Sequence, residues 1–77
     1  MTNKNSINLQ IGTKIRLERN KRKWSQEKLA EYADMNKNSI GFIERGESSP
    51  TAETLAKIAD AFEMTLSELL DVSKIDL

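Results

Sequence analysis

Residues 25–45, SQEKLAEYADMNKNSIGFIER, constrain the fold of this chain most strongly, because they read as two short amphipathic helices with almost nothing between them. Leu29, Ala30 and Ala33 share one face of the first helix, and Ile40 and Ile43 share one face of the second. Ser25 is placed to cap the first and Asn36 the second, since a short side-chain oxygen can accept the free backbone N–H groups of a first turn. Only Asp34 and Met35 remain between them. So short a break makes the helices meet at a steep angle, with Met35 plugging the corner and Asp34 tolerating the left-handed conformation such turns need.

The same phase defines what points outward. At about 100° per residue, placing Ile40 and Ile43 inside puts Asn38, Phe42 and Arg45 on the opposite face, with Lys37, Ser39 and Gly41 flanking. Asn pairs bidentately with adenine, Lys reaches guanine or phosphate, and an aromatic ring packs on a thymine methyl. These residue types suit the reading of base edges. Asn36, Lys37, Asn38 and Ser39 would serve equally well to cap and solvate a helix start, so context has to decide.

Part of that context is chemistry the chain lacks. Its 77 residues suffice for one domain, with a helical core over 6–72, a frayed start at 1–5 and a short tail at 73–77. There is no cysteine and no histidine, so disulfides, thiolate metal sites and the commonest general base are missing. No catalytic residue, metal, cofactor or small-molecule ligand is expected. No apolar run approaches the roughly 20 residues that span a bilayer, so no membrane partner is expected and a cytoplasmic location is the default.

Net charge is zero but segregated along the chain. Residues 1–24 carry seven Lys and Arg against one Glu, residues 25–50 three against five acids, and residues 51–77 two against six, so the net runs +6, −2, −4. A bipolar molecule of this kind can offer its basic N-terminal half to phosphates.

Ahead of the central pair, a helix is expected from about Ser6 or Asn8 to Lys21, with Ile7, Ile11 and Ile15 as its buried stripe. Continuing the stripe demands an apolar residue where Glu18 stands, so either the helix is rotated or Glu18 pairs with Arg22 at the core edge. Lys21, Arg22 and Lys23 suit a helix C-terminus and could equally touch phosphate. Trp24 precedes the Ser25 cap and is expected to fold back onto the core. Gln26 opens the next helix, where free N–H groups can hold a phosphate, and is the first phosphate candidate.

Beyond the central pair, Arg45-Gly46 looks like a helix end with glycine just past it. Thr51 caps a further helix whose Leu55, Ile58, Ala59 and Phe62 form one stripe across the back of the motif. Thr65 and Glu68 fit a capping box for a last short helix. Leu66, Leu69, Leu70, Val72 and Ile75 then leave apolar surface with little chain to cover it, which favours a homodimer interface over a fold-back. Glu44 falls near Ile40 in phase and needs a cation, with Arg19 the first choice of partner and Arg16 the second. A catalytic Glu44 finds no accompanying histidine or metal cluster.

Taken together, IGTKIRLER, WSQEKLAEYA, SIGFIERGESSPTAETLAKIADAF and TLSELL resemble, in order and spacing over about residues 10–70, the phage-repressor and Cro type of helix-turn-helix regulator, the Cro/C1 or xenobiotic-response-element family. The resemblance implies an all-α, five-helix, lambda-repressor-like bundle in which helix 3 enters the major groove of double-stranded DNA. It further implies base contacts from Lys37, Asn38 and Phe42, backbone contacts from Gln26, Asn36, Ser39 and Arg45, and a structural ion pair between Arg19 and Glu44. The family usually has glycine at position 34 and often at 23, where this chain has Asp34 and Lys23, so both turns are expected to be less sharp. Glu18 stands in an aliphatic position and Phe42 in a commonly polar one, and the Glu47-Ser48-Ser49 loop lacks basic residues, leaving its backbone N–H groups to serve. The expectation is a transcription regulator acting as a homodimer on a partly palindromic operator; the rival is a protein-interaction module or antitoxin whose main partner is another protein.

Overall fold

The computed structural model describes residues 6–73 and residue 75, and among these the chain is all α. The helices are α1 (Ser6–Lys21), α2 (Gln26–Ala33), α3 (Lys37–Glu44), α4 (Ala52–Ala61) and α5 (Leu66–Leu69). Residues 1–5, and positions 74, 76 and 77 of the expected tail, lie outside the described residues. No described helix is long and apolar enough to cross a membrane.

Every helix after the first starts on the residue its sequence marks. The side chains of Ser25, Asn36, Thr51 and Thr65 accept from the backbone N–H of Lys28, Asn38, Thr54 and Glu68. At α5 the Glu68 carboxylate also accepts from the Thr65 N–H at 2.8 Å, completing the capping box.

The helix ends are more uniform than expected. α1 to α4 all stop at a left-handed residue: Lys23 (φ 60°), Asp34 (φ 56°), Gly46 (φ 73°) and Glu63 (φ 59°). In each case the residue after it sends its N–H back to a carbonyl of the last turn: Trp24 to Arg19, Met35 to Ala30, Glu47 to Phe42 and Met64 to Ala59, at 2.8–3.1 Å. The absence of glycine at 23 and 34 therefore does not open those turns. The closing hydrogen bonds, and the burial of Trp24, Met35 and Met64 against the core, hold the left-handed backbone instead.

The core consists of Ile15 from α1, Leu29, Ala30 and Ala33 from α2, Ile40 and Ile43 from α3, Leu55, Ile58, Ala59 and Phe62 from α4 and its end, and Leu69 from α5. Two expectations need correction. Ile7 is 52% exposed, because a four-residue spacing drifts about 40° per step and carries it some 80° from Ile15. Leu69 has no exposed surface in its own domain, so it has nothing to offer a second copy; the short α5 turns it inward while Leu70 stays 38% exposed.

The α1 face that meets α3 is marked by an absence. A Cβ on Gly12 would come within 2.7 Å of the Glu44 carbonyl oxygen, so bare backbone lets α1 lie against the end of α3. Gly46 abuts the backbone of Leu9 in the same region, and Asn8 donates to Ser49 at 2.8 Å.

Glu18 resolves its misfit through ion pairs. Arg22 donates to its carboxylate at 3.0 Å, and Lys14 and Lys21 stand 3.4 Å away. Burial pushes the Glu18 carboxyl up, yet the hydrogen bonds from Arg22, Lys21 and Lys14 together outweigh it and hold its pKa below the ordinary value. Arg22 also donates to the Phe62 carbonyl at 2.9 Å, fastening α1 to the end of α4, and its guanidinium lies over the Phe62 ring. With Arg19 on Glu44, four of the seven Lys and Arg of residues 1–24 are turned onto the domain's own carboxylates.

Candidate nucleic-acid interface

α3 presents its outward face as the phase argument requires. Lys37, Asn38, Ser39, Phe42 and Arg45 are exposed while Ile40, Ile43 and Glu44 are buried. Phe42 is 48% exposed, a large apolar surface amid polar neighbours. The ring stands as a ridge between two shallow hollows. One, of about 100 Å³, is lined by Gln26, Lys37, Asn38, Gly41, Phe42 and Arg45, and the other, of about 260 Å³, includes Ser39, Ser48, Ser49 and Thr51. Gly41, expected at the flank of the outward face, is buried and floors the smaller hollow.

The position of this face is fixed from behind. Arg19 Nε donates to Glu44 Oε2 at 2.7 Å and Arg19 Nη2 to Oε1 at 3.0 Å, a bidentate pair joining α1 to α3. The hydrogen bond that Arg19 donates to Glu44 raises the Arg19 pKa above its ordinary value. Arg19 Nη1 also donates to the Trp24 carbonyl at 2.8 Å, so the guanidinium holds the entrance to α2 as well.

Gln26 joins the same network. Its Nε2 donates to Glu44 Oε1 at 3.1 Å, which ties the first residue of α2 to the end of α3 and turns the carboxamide donor inward. The side-chain oxygen is the end left towards the hollow above Gly41. Asn36 spends its Oδ1 on the Asn38 N–H at 2.7 Å, in the capping role.

Arg45 is held from several sides. Its Nε donates to Glu47 Oε1 at 2.9 Å and its guanidinium lies 5.1 Å from the Phe42 ring centroid. The expected site residues Gln26, Lys37, Asn38, Phe42 and Arg45 thus meet around one hollow, while Ser39 borders the other. Of the apolar C-terminal residues, Leu70 is exposed and Leu66, Val72 and Ile75 are half-buried.

Gly12, Glu47 and the link from Gln26 to Glu44 were not foreseen. Glycine carries no apolar signal, and a single loop acid next to a helix end looks like ordinary solvated surface.

Comparison with known proteins matches residues 15–69 to the helix-turn-helix family HTH_3. The chain is 40% identical over 60 residues to the HTH-type transcriptional regulator SutR of Escherichia coli (strain K12), a match covering 78% of this chain and 34% of that protein, so the chain spans about a third of the length of that relative. It is 38% identical over 72 residues to the control protein C.BamHI of Bacillus amyloliquefaciens, covering 92% of this chain and 89% of that one. Among solved structures, the restriction-modification controller protein C.AhdI from Aeromonas hydrophila superposes with a TM-score of 0.81 at 26% identity, over 83% of this chain and 97% of its own.

Proposed function

Because the chain belongs to the HTH_3 helix-turn-helix family, of the Cro/C1 or xenobiotic-response-element type, and is with it a DNA-binding transcriptional regulator, we propose that it binds a partly palindromic operator as a homodimer, with α3 in the major groove. The observation that carries this reading is the outward face of α3, where Lys37, Asn38 and Phe42 stand exposed on a helix held rigidly by Arg19 and Glu44. Lys37, Asn38 and Phe42 read bases, Asn38 through adenine and Phe42 through a thymine methyl. Arg45 and Ser39 meet the flanking backbone. So do Gln26 and Asn36, which approach phosphate through main-chain N–H groups at the starts of α2 and α3, since their side chains are engaged within the domain.

Two copies paired through Leu66, Leu70, Val72 and Ile75 would set their α3 helices about 34 Å apart, one turn of DNA. The match to two controller proteins along most of their length supports a regulator of that kind. A cytoplasmic location belongs to the same proposal.

Selection from a random DNA library at near-physiological salt, run on the wild type and on Asn38→Ala, tests the reading. The expected result is an enriched inverted repeat, weakened selectively by Asn38→Ala at an A·T pair. Absence of enrichment, or binding indifferent to Asn38, would move the function to recognition of another protein.

A further inference from the structure

Three of the four left-handed helix ends are followed by a large apolar residue packed on the core: Trp24, Met35 and Met64. The fourth, at the end of α3, is followed by Glu47, exposed and charged. Its main-chain N–H returns to the Phe42 carbonyl at 2.9 Å, so the backbone beneath its carboxylate is as firmly placed as at the other three ends. What differs is where the side chain goes. It reaches Arg45 Nε at 2.9 Å, while the Arg45 guanidinium lies over Phe42 and its Nη1 runs beside Gly41, 3.1 Å from where a Cβ would stand.

A carboxylate and a ring face thus orient one exposed arginine beside the bare position at Gly41. We propose that Glu47 is a positioning residue for operator discrimination: it holds Arg45 against Phe42, so that the cation meets the operator backbone in one geometry and is not free for the phosphates of arbitrary DNA. The inference rests on α3 being the DNA-facing helix. A free arginine adds to binding on any sequence through counterion release. Paired with Glu47 it carries no net charge, and an exposed pair is weak enough to yield when the correct site brings a phosphate oxygen to the Nη edge. Discrimination arises because the wrong DNA is denied a contact.

The test measures affinity and its salt dependence on the selected operator and on arbitrary-sequence DNA, for the wild type, Glu47→Gln, Arg45→Ala and the double variant. Glu47 is exposed, and the hydrogen bond of its main-chain N–H does not depend on its side chain, so Glu47→Gln folds. On arbitrary DNA, Glu47→Gln should bind about threefold or more tighter, with a log-affinity against log-salt slope steeper by about 0.9. The operator should gain less, so the ratio of the two affinities falls. In the Arg45→Ala background the substitution should leave that ratio unchanged. Equal gains on both DNAs, or a fall in the ratio that survives the loss of Arg45, would show Glu47 acting only as a repelling charge and overturn the inference. A wild type that enriches no sequence overturns the DNA-binding reading together with it.

Discussion

Arg19 and Glu44, 25 residues apart in sequence, meet through two hydrogen bonds of 2.7 and 3.0 Å and join α1 to the end of α3. Glu44 is 5% exposed, so removing Arg19 leaves a buried carboxylate with only the neutral Gln26 donor. Arg19→Met should cost about 3–5 kcal/mol in urea denaturation, a large share of what a domain this size has to lose. Arg19→Lys should restore only part of it, because an ammonium cannot reproduce the two-pronged contact. Equal stability for the Lys variant and the wild type would refute that geometry.

Two glycines should respond oppositely to alanine. Gly12→Ala drives a methyl into the main chain at the end of α3 and should cost about 1–3 kcal/mol or more. Gly41→Ala meets only side-chain ends, Arg45 at 3.1 Å and Gln26 at 3.8 Å, and removes a mid-helix glycine, so it should be neutral or stabilising by up to about 1 kcal/mol. Thermal melts of the two variants check the contrast.

The left-handed residues without glycine offer a route to higher stability. Lys23 and Glu63 hold φ near 60°, which is unfavourable for a side chain bearing a Cβ by about 1–2 kcal/mol. Glycine relieves this, at an entropic cost in the unfolded chain of about 0.4–1 kcal/mol. Lys23→Gly and Glu63→Gly should each raise the melting temperature slightly. Asp34→Gly should gain less, because aspartate tolerates this conformation better than most residues.

Glu18 should give the domain an acid-sensitive component. Its folded pKa lies below the ordinary value of 4.5, so the folded state releases this proton more readily than the unfolded chain. The stability it contributes is present above pH 4.5 and is lost as the pH falls through the lowered value. Glu18→Gln leaves Lys14, Lys21 and Arg22 crowded without their carboxylate, so it should be less stable at neutral pH and show a shallower loss on acidification. A denaturation series across the acid range reads both effects.

How far the sequence reveals this architecture depends on the kind of signal. Caps at Ser25, Asn36, Thr51 and Thr65 are local chemistry, and each helix starts accordingly. The inward Ile40, Ile43 and Glu44 and the outward Asn38 and Phe42 follow from helical phase alone. Contacts made by an absence do not: nothing local marks Gly12 as the residue that lets α1 touch α3. Periodicity also misleads when a spacing of four is continued, as with Ile7, which the accumulated drift carries about 80° from Ile15 and leaves exposed. Leu69 and Leu70 are adjacent and identical in type, and only the tertiary arrangement decides that the first fills the core and the second stays exposed.

The Glu44 carboxylate collects donors from two other parts of the chain, Arg19 on α1 and Gln26 at the start of α2. In kinetic terms this predicts that the packed arrangement of α2 and α3 is completed late in folding. A fragment containing only α2 and α3 keeps its caps and its corner but has no guanidinium for Glu44, so it should remain largely unstructured in isolation. α3 should then lose its fixed place whenever the contact at its far end is broken, so the exposed face it carries depends on a residue of α1.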